Sequence, residues 1–156
     1  MFIPDMTDAF HAYLLMVDMA TDYTVVQWMV EGVGNRAPKP TAENARRALQ
    51  EGWIRVLLTP QRIQIDQDSA FRGAFEEMCD SLGVPLIPVP ADAHFSHGKV
   101  ERRVGFVKVM AEKVFKDMNV VGAEAARVAG YRIGETCCRL CNNHGFSPAQ
   151  WVLGKE

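Results

Sequence analysis

The chain has no apolar run long enough to cross a bilayer. Residues 12–19 are apolar apart from Asp18, and that stretch is too short for a span. The N-terminus carries no charged-then-apolar secretory pattern. An excess of positive charge is also missing. Seventeen Lys and Arg face 19 Asp and Glu, for a net charge of −2. A grip on nucleic acid would therefore have to come from local basic clusters, because phosphate binding rests on Lys and Arg. Lys99, Arg102, Arg103 and Lys108 form one such cluster, and Arg46 and Arg47 a smaller one; a solvated helix face is the plainer reading of each. Cysteine is scarce, with four residues, three of them crowded into Cys137, Cys138 and Cys141. That excludes a disulfide scaffold and points to a reducing compartment. A zinc site built with His144 lacks the paired knuckle and a distant second pair. These cysteines read better as small apolar residues packing inward from a helix. Internal repeats and low-complexity tracts are absent.

What is present fits one globular domain. The chain has 156 residues, 48% hydrophobic and 23% charged. Residues 10–18 and 23–30 read as two apolar, β-branched and aromatic strands joined by a link short enough for a hairpin. The Gly- and Pro-rich stretch 32–41 reads as a loop. A helix over about 41–53 follows, with Thr41 as N-cap. Ile63 and Ile65 alternate on a short strand that ends at Asp66. A second helix spans about 69–82, with Gly83 at its C′ position. Residues 84–89 read as a strand, and 90–98 as a loop carrying His94 and His97. A long helix runs from about 98 to 118, its buried stripe marked by Val100, Val104, Val107, Ala111, Val114 and Met118. Another covers about 122–142. Ser147 and Pro148 open a short final helix over 147–153. This order predicts an α/β layer with a mixed sheet, antiparallel hairpin strands first and parallel strands after, flanked by helices.

Two carboxylates dominate the chemistry. Asp66 ends a strand, and Glu101 lies near the start of the long helix. A strand, a helix, a second strand and a loop fit between them, and such a crossover can bring both acids to one sheet edge. Converging carboxylates repel unless cations sit between them, and hard oxygen ligands with room for water suit Mg²⁺ or Mn²⁺. Spacing alone does not distinguish this pair from two ordinary surface acids.

The wording around both acids is more specific. The run IDQDSAF resembles the D-x-G-x-x-F strand end of retroviral and retrotransposon integrase cores, and HGKVERR resembles the N-G-x-x-E-R start of their glutamate-bearing helix. VDMATDYTVVQWMV and GFSPAQWVLGKE also resemble integrases encoded by LTR retrotransposons, so the likeness spans nearly the whole chain. The resemblance implies a ribonuclease H-like fold over 1–156 and an integrase catalytic core, with truncation within its first strand as an alternative. It implies two-metal phosphoryl transfer on DNA, hydrolysing element ends and joining them to target DNA, with Mg²⁺ or Mn²⁺ held by acids including Asp66 and Glu101. Lys99, Arg102, Arg103 and Lys108 would contact DNA. The partners implied are element and target DNA and further copies of the chain, with no membrane. The setting would be intracellular, and nuclear for a eukaryotic element. A ribonuclease H-like nuclease is a further alternative.

The family needs a third acid, on the first strand. Asp18 is tempting. However, if its strand is the first, the Gly/Pro-rich stretch 32–41 must supply a third, which its composition opposes. If that strand is instead the second, MFIP is the first, with the metal-binding Asp at or before its start. Asp5 is then a candidate, although it follows Pro4 in a turn. The remaining option is that the acid is absent and the core is degenerate or repurposed, binding nucleic acid or protein without catalysis. Asp68 stands where the family usually has Gly, either as extra negative charge or as a helix cap. Gly105 stands where relatives often carry a DNA-contacting Lys.

Overall fold

The computed structural model describes residues 1–33, 36–66, 68–89, 94–140 and 144–154; within it, the side chains of 94–97 and 99 are outside the description. The first sheet is antiparallel, in the order β1 (Phe2–Pro4), β2 (Phe10–Val17), β3 (Thr24–Glu31). Phe2 faces Ala12 and Pro4 faces Phe10, and Val17 faces Thr24 across the second pair. FHAYLLMV is therefore the second strand and MFIP the first. A second pair, β4 (Ile63–Ile65) and β5 (Leu86–Pro88), is parallel. Among the described residues no ladder joins it to the first sheet.

Side chains alternate across β2, so the sheet buries both faces. Tyr13 and Val26 point to one side, where they meet α4 (His94–Asp117) and α5 (Gly122–Leu140) through Val107, Ala111, Phe115, Ala129 and Ile133. Ala12, Leu14 and Met29 point to the other side, towards Ala48 of α1 (Ala42–Leu49). There α1 also packs with α3 (Ala74–Ser81) through Ala45, Leu49, Phe75 and Cys79, with Ile63 and Ile65 against the same cluster.

The helices depart from expectation in length. Thr41 caps α1 through a reciprocal bond with Asn44. The helix does not stop near 53; it passes through a π-helical segment, Gln50–Ile54, and ends in α2 (Arg55–Leu57), where Leu58 turns left-handed at φ 69°. The expected helix over 69–82 is split. Asp68 caps a 3₁₀ turn, Ser69–Phe71, before Gly73 at φ 56° resets the chain for α3. Gly83, at φ 66°, takes the C′ position as expected. The long helix starts earlier, so His94 and His97 belong to α4 rather than to a loop, and Glu101 sits about two turns inside it. Its buried line is Val107, Ala111 and Phe115; Met118 is exposed. Ser147 caps α6 (Pro148–Leu153), with Gly154 left-handed behind it.

Helix α5 lies close on β3 because two of its residues lack side chains. A Cβ on Gly130 would come 2.9 Å from Tyr13 Cε1 and 3.0 Å from the Val26 carbonyl oxygen. Cys137 and Cys138 are buried on this same helix, and the Cys138 thiol donates to the Thr24 carbonyl at 3.2 Å. They face inward, as read from the sequence; Cys141 lies outside the described residues. Gly130→Ala should destabilise the domain by about 1–3 kcal/mol through overpacking, because the Val26 backbone cannot move aside cheaply. Urea unfolding measures this, and an unchanged midpoint would mean that the helix–sheet spacing is not set here.

Candidate active site

β4 delivers Asp66 to an exposed position at its C-terminal end. Its carboxylate accepts one long bond, 3.4 Å, from the Asp68 amide. Asp68 is engaged as a cap, accepting from the Ala70 amide at 2.8 Å. The start of β1 reaches the same corner. Met1 is paired to Tyr13, whose amide donates to the Met1 carbonyl at 2.8 Å. Burial lowers the pKa of the Met1 α-amino group, the fields of Asp66 and Asp68 raise it, and that of Lys108 lowers it. Asp66, Met1, just before β1, and Lys108 of α4 thus share one electrostatic neighbourhood. Glu101 precedes Lys108 by about two turns, roughly 10 Å along the axis and on nearly the same helix face. It is exposed.

The two candidates for a first acid lie elsewhere. Asp18 is about 17 Å further along β2 than Tyr13. Its carboxylate accepts from the Thr21 amide at 2.8 Å and from the Thr21 hydroxyl at 2.5 Å, shaping the β2–β3 turn. It also borders a shallow apolar groove lined by Tyr23, Trp53, Leu57 and Leu153. Asp5 stands at the far end of β1, about 13 Å from Met1.

Asp5 is the centre of a network that was not legible in the sequence. Its side chain and that of His11 are both fully buried. Oδ1 accepts from the Thr7 amide, the Thr7 hydroxyl and the Ala9 amide at 2.8, 2.7 and 3.1 Å. Oδ2 accepts from the Gly122 amide at 3.0 Å and lies 3.2 Å from His11 Nε2. The Trp28 indole N–H donates to His11 Nδ1 at 3.3 Å. An indole nitrogen can only donate, so Nδ1 accepts and Nε2 carries the proton given to Asp5. Asp5, His11 and Glu31 offer ligand atoms within 4.8 Å of one another. A cation there would have to displace bonds that already occupy both ring nitrogens and both Asp5 oxygens, so the cluster reads as a structural lock. The only sequence signal was a His opposite a turn acid on a hairpin.

The basic residues divide. Arg102 is exposed, and its guanidinium donates to the Gly98 carbonyl at 2.9 Å. Lys108 is exposed. Arg103 is mostly buried and ion-paired with Asp22 at 3.5 Å, so it is not simply presented to solvent. The Lys99 side chain lies outside the described residues, as do those of His94 and His97.

A mixed layer with an antiparallel three-stranded sheet, then a parallel strand pair, and helices packed on both faces has the ribonuclease H-like fold. Within that class the chain is similar in fold to retroviral integrase catalytic cores. It matches a chain of the simian T-cell lymphotropic virus intasome, solved in complex with the PP2A regulatory subunit B56γ, at TM-score 0.77 and 18% identity, over 100% of this chain and 52% of that one. It matches the HTLV-2 integrase catalytic core in complex with magnesium at TM-score 0.71 and 21% identity, over 97% and 90%. The BIV integrase catalytic core matches at TM-score 0.67 and 17% identity, over 94% and 85%. The chain therefore spans about half the length of the intasome subunit. No family model and no curated protein sequence matches. No described helix is long and apolar enough to cross a membrane.

The Asp5 carboxyl is costly to bury, yet its backbone donors, the Thr7 hydroxyl and His11 hold its pKa well below the usual carboxylate range. A depressed folded-state pKa contributes stability above the unfolded value of 3.8 and loses it as pH falls towards the folded value. Acid unfolding of the wild type should therefore steepen below about pH 4. Asp5→Asn should remove that slope and cost about 1–3 kcal/mol at neutral pH. Unfolding curves from pH 7 to 2 check both; an unchanged acid slope would mean that Asp5 is not the group responsible.

Proposed function

We propose that the chain is an integrase-type DNA integration core that uses Asp66 and Glu101 to hold a divalent cation against DNA phosphodiesters. The observation that carries this reading is that Asp66 stands exposed at the end of β4, with Lys108, two turns beyond Glu101 on α4, in its electrostatic neighbourhood. The donor chemistry fits Mg²⁺ or Mn²⁺. Both acids are exposed, and among the described residues Asp66 gives up one long hydrogen bond to take a ligand role. Bound ions supply the Lewis acidity that activates water or a 3′-hydroxyl and stabilises the departing oxygen. Lys108 and Arg102 offer exposed charge for phosphates, so target sequence preference should be weak. The solved HTLV-2 core in complex with magnesium supports the choice of ion. The LTR-retrotransposon origin implied by the motifs, assembly of several copies on DNA and an intracellular or nuclear setting belong to the same proposal.

A second reading is favoured by one specific observation: Asp5 and Asp18 are both committed to hydrogen bonds away from the corner. On that reading the core keeps the fold and binds DNA or a partner without catalysis. A manganese-dependent strand-transfer and disintegration assay separates the two. The first reading expects joined product, reduced about a hundredfold or more by Asp66→Asn or Glu101→Gln. No product from a wild type that still binds DNA establishes the second. Hydrolysis of an RNA–DNA hybrid without joining would replace both with a nuclease.

A further inference from the structure

Arg103 reads in the sequence as one more DNA-contacting cation, yet its side chain is only 11% exposed and pairs at 3.5 Å with Asp22, itself 22% exposed. Asp22 lies in the β2–β3 turn, with its backbone left-handed at φ 63°. Asp18 builds that turn. Its carboxylate binds the Thr21 amide and hydroxyl, and its carbonyl accepts from the Asp22 amide at 2.9 Å. The Thr24 hydroxyl closes the far side by donating to the Asp22 carbonyl at 2.9 Å. The turn is a rigid platform, and Asp22 presents a carboxylate from it to α4. Further along, α4 is held by Val107, Ala111 and Phe115 in the core. Among the described side chains before Arg103, Val100, Glu101 and Arg102 are exposed. The ion pair is thus a tether close to Glu101.

We propose that Arg103 is a positioning residue: the Asp18-shaped turn holds Arg103 through Asp22 and thereby fixes the turn of α4 that carries Glu101. This rests on the ion site proposed above, and it gives Asp18 a scaffolding part in that site. A simple charge effect runs the other way. Removing a cation near a divalent-ion site should strengthen ion binding by Coulomb's law, whereas loss of a tether should weaken it.

The test uses the full chain, with hydrogen exchange at amides 102–105 and Mn²⁺ titration read together. Arg103→Ala and Asp22→Asn should each speed exchange in that segment about tenfold, with α5 and β2 unchanged. The charge swap Arg103→Asp with Asp22→Arg should recover part of the protection. Arg103→Lys keeps the charge with a shorter, single-point contact and serves if the alanine variant does not fold; it should fall between. Mn²⁺ affinity should drop about three- to tenfold in Arg103→Ala. Unchanged exchange at 102–105 overturns the proposal, as does tighter Mn²⁺ binding. Loss of affinity for a DNA duplex with exchange unaltered also overturns it, making Arg103 a phosphate contact. Wild-type Mn²⁺ binding that does not depend on Glu101 overturns the ion site instead, and the exchange data distinguish that failure from loss of the tether.

Discussion

The burial of β2 on both faces is the constraint on which the rest of the structure depends. Tyr13 has no exposed surface, and its hydroxyl donates to the Ala126 carbonyl at 2.7 Å, so one side chain anchors β2 to α5. Ala12 is equally buried on the opposite face. A strand covered on both sides needs a helix layer on each, and α4/α5 and α1/α3 supply them. Glycine and alanine on α5 set how near that layer comes. The inner strand then determines where the ends of its partners β1 and β3 can lie.

Polar groups in this core are few and are spent on geometry. Asp5 joins the β1–β2 turn to the α4–α5 turn through the Gly122 amide, and the Met6 amide donates to the Val120 carbonyl at 3.0 Å beside it. Five donors compensate one buried carboxylate, which is how such a group is kept charged in a dry setting. Asp18 does a similar job on a smaller scale for the β2–β3 turn. Both acids that looked available for catalysis in the sequence are thus framing groups, one at each end of the hairpin.

Similarity to viral integrase cores at 17–21% identity in the solved structures quoted is similarity of fold. A fold positions a corner; the residues standing there decide what it can do. Here Asp66 and Lys108 lie in one neighbourhood, and Glu101 stands about two turns before Lys108 on α4. The two readings proposed above share the fold and diverge on the transfer chemistry.

Local pattern determined most of the architecture. Alternation named β2 and β3, Thr41 and Ser147 announced their helices, Gly83 marked a C-terminus, and prolines in 32–41 excluded a strand, which in turn made MFIP the first one. Those features depend on neighbours within a few residues, so a linear reading reaches them. The π segment after Leu49, the break at Gly73 and the early start of α4 were not legible, because long-range packing decides where a helix bends or stops. The site divides along the same line. Asp66 at a strand end and Glu101 on a helix follow from local periodicity. The partnership of Asp5 with His11 and Gly122, and that of Arg103 with Asp22, join residues far apart in the chain. Only the folded arrangement could decide that, since hydrogen bonds and ion pairs form where side chains are brought together, whatever their separation in sequence.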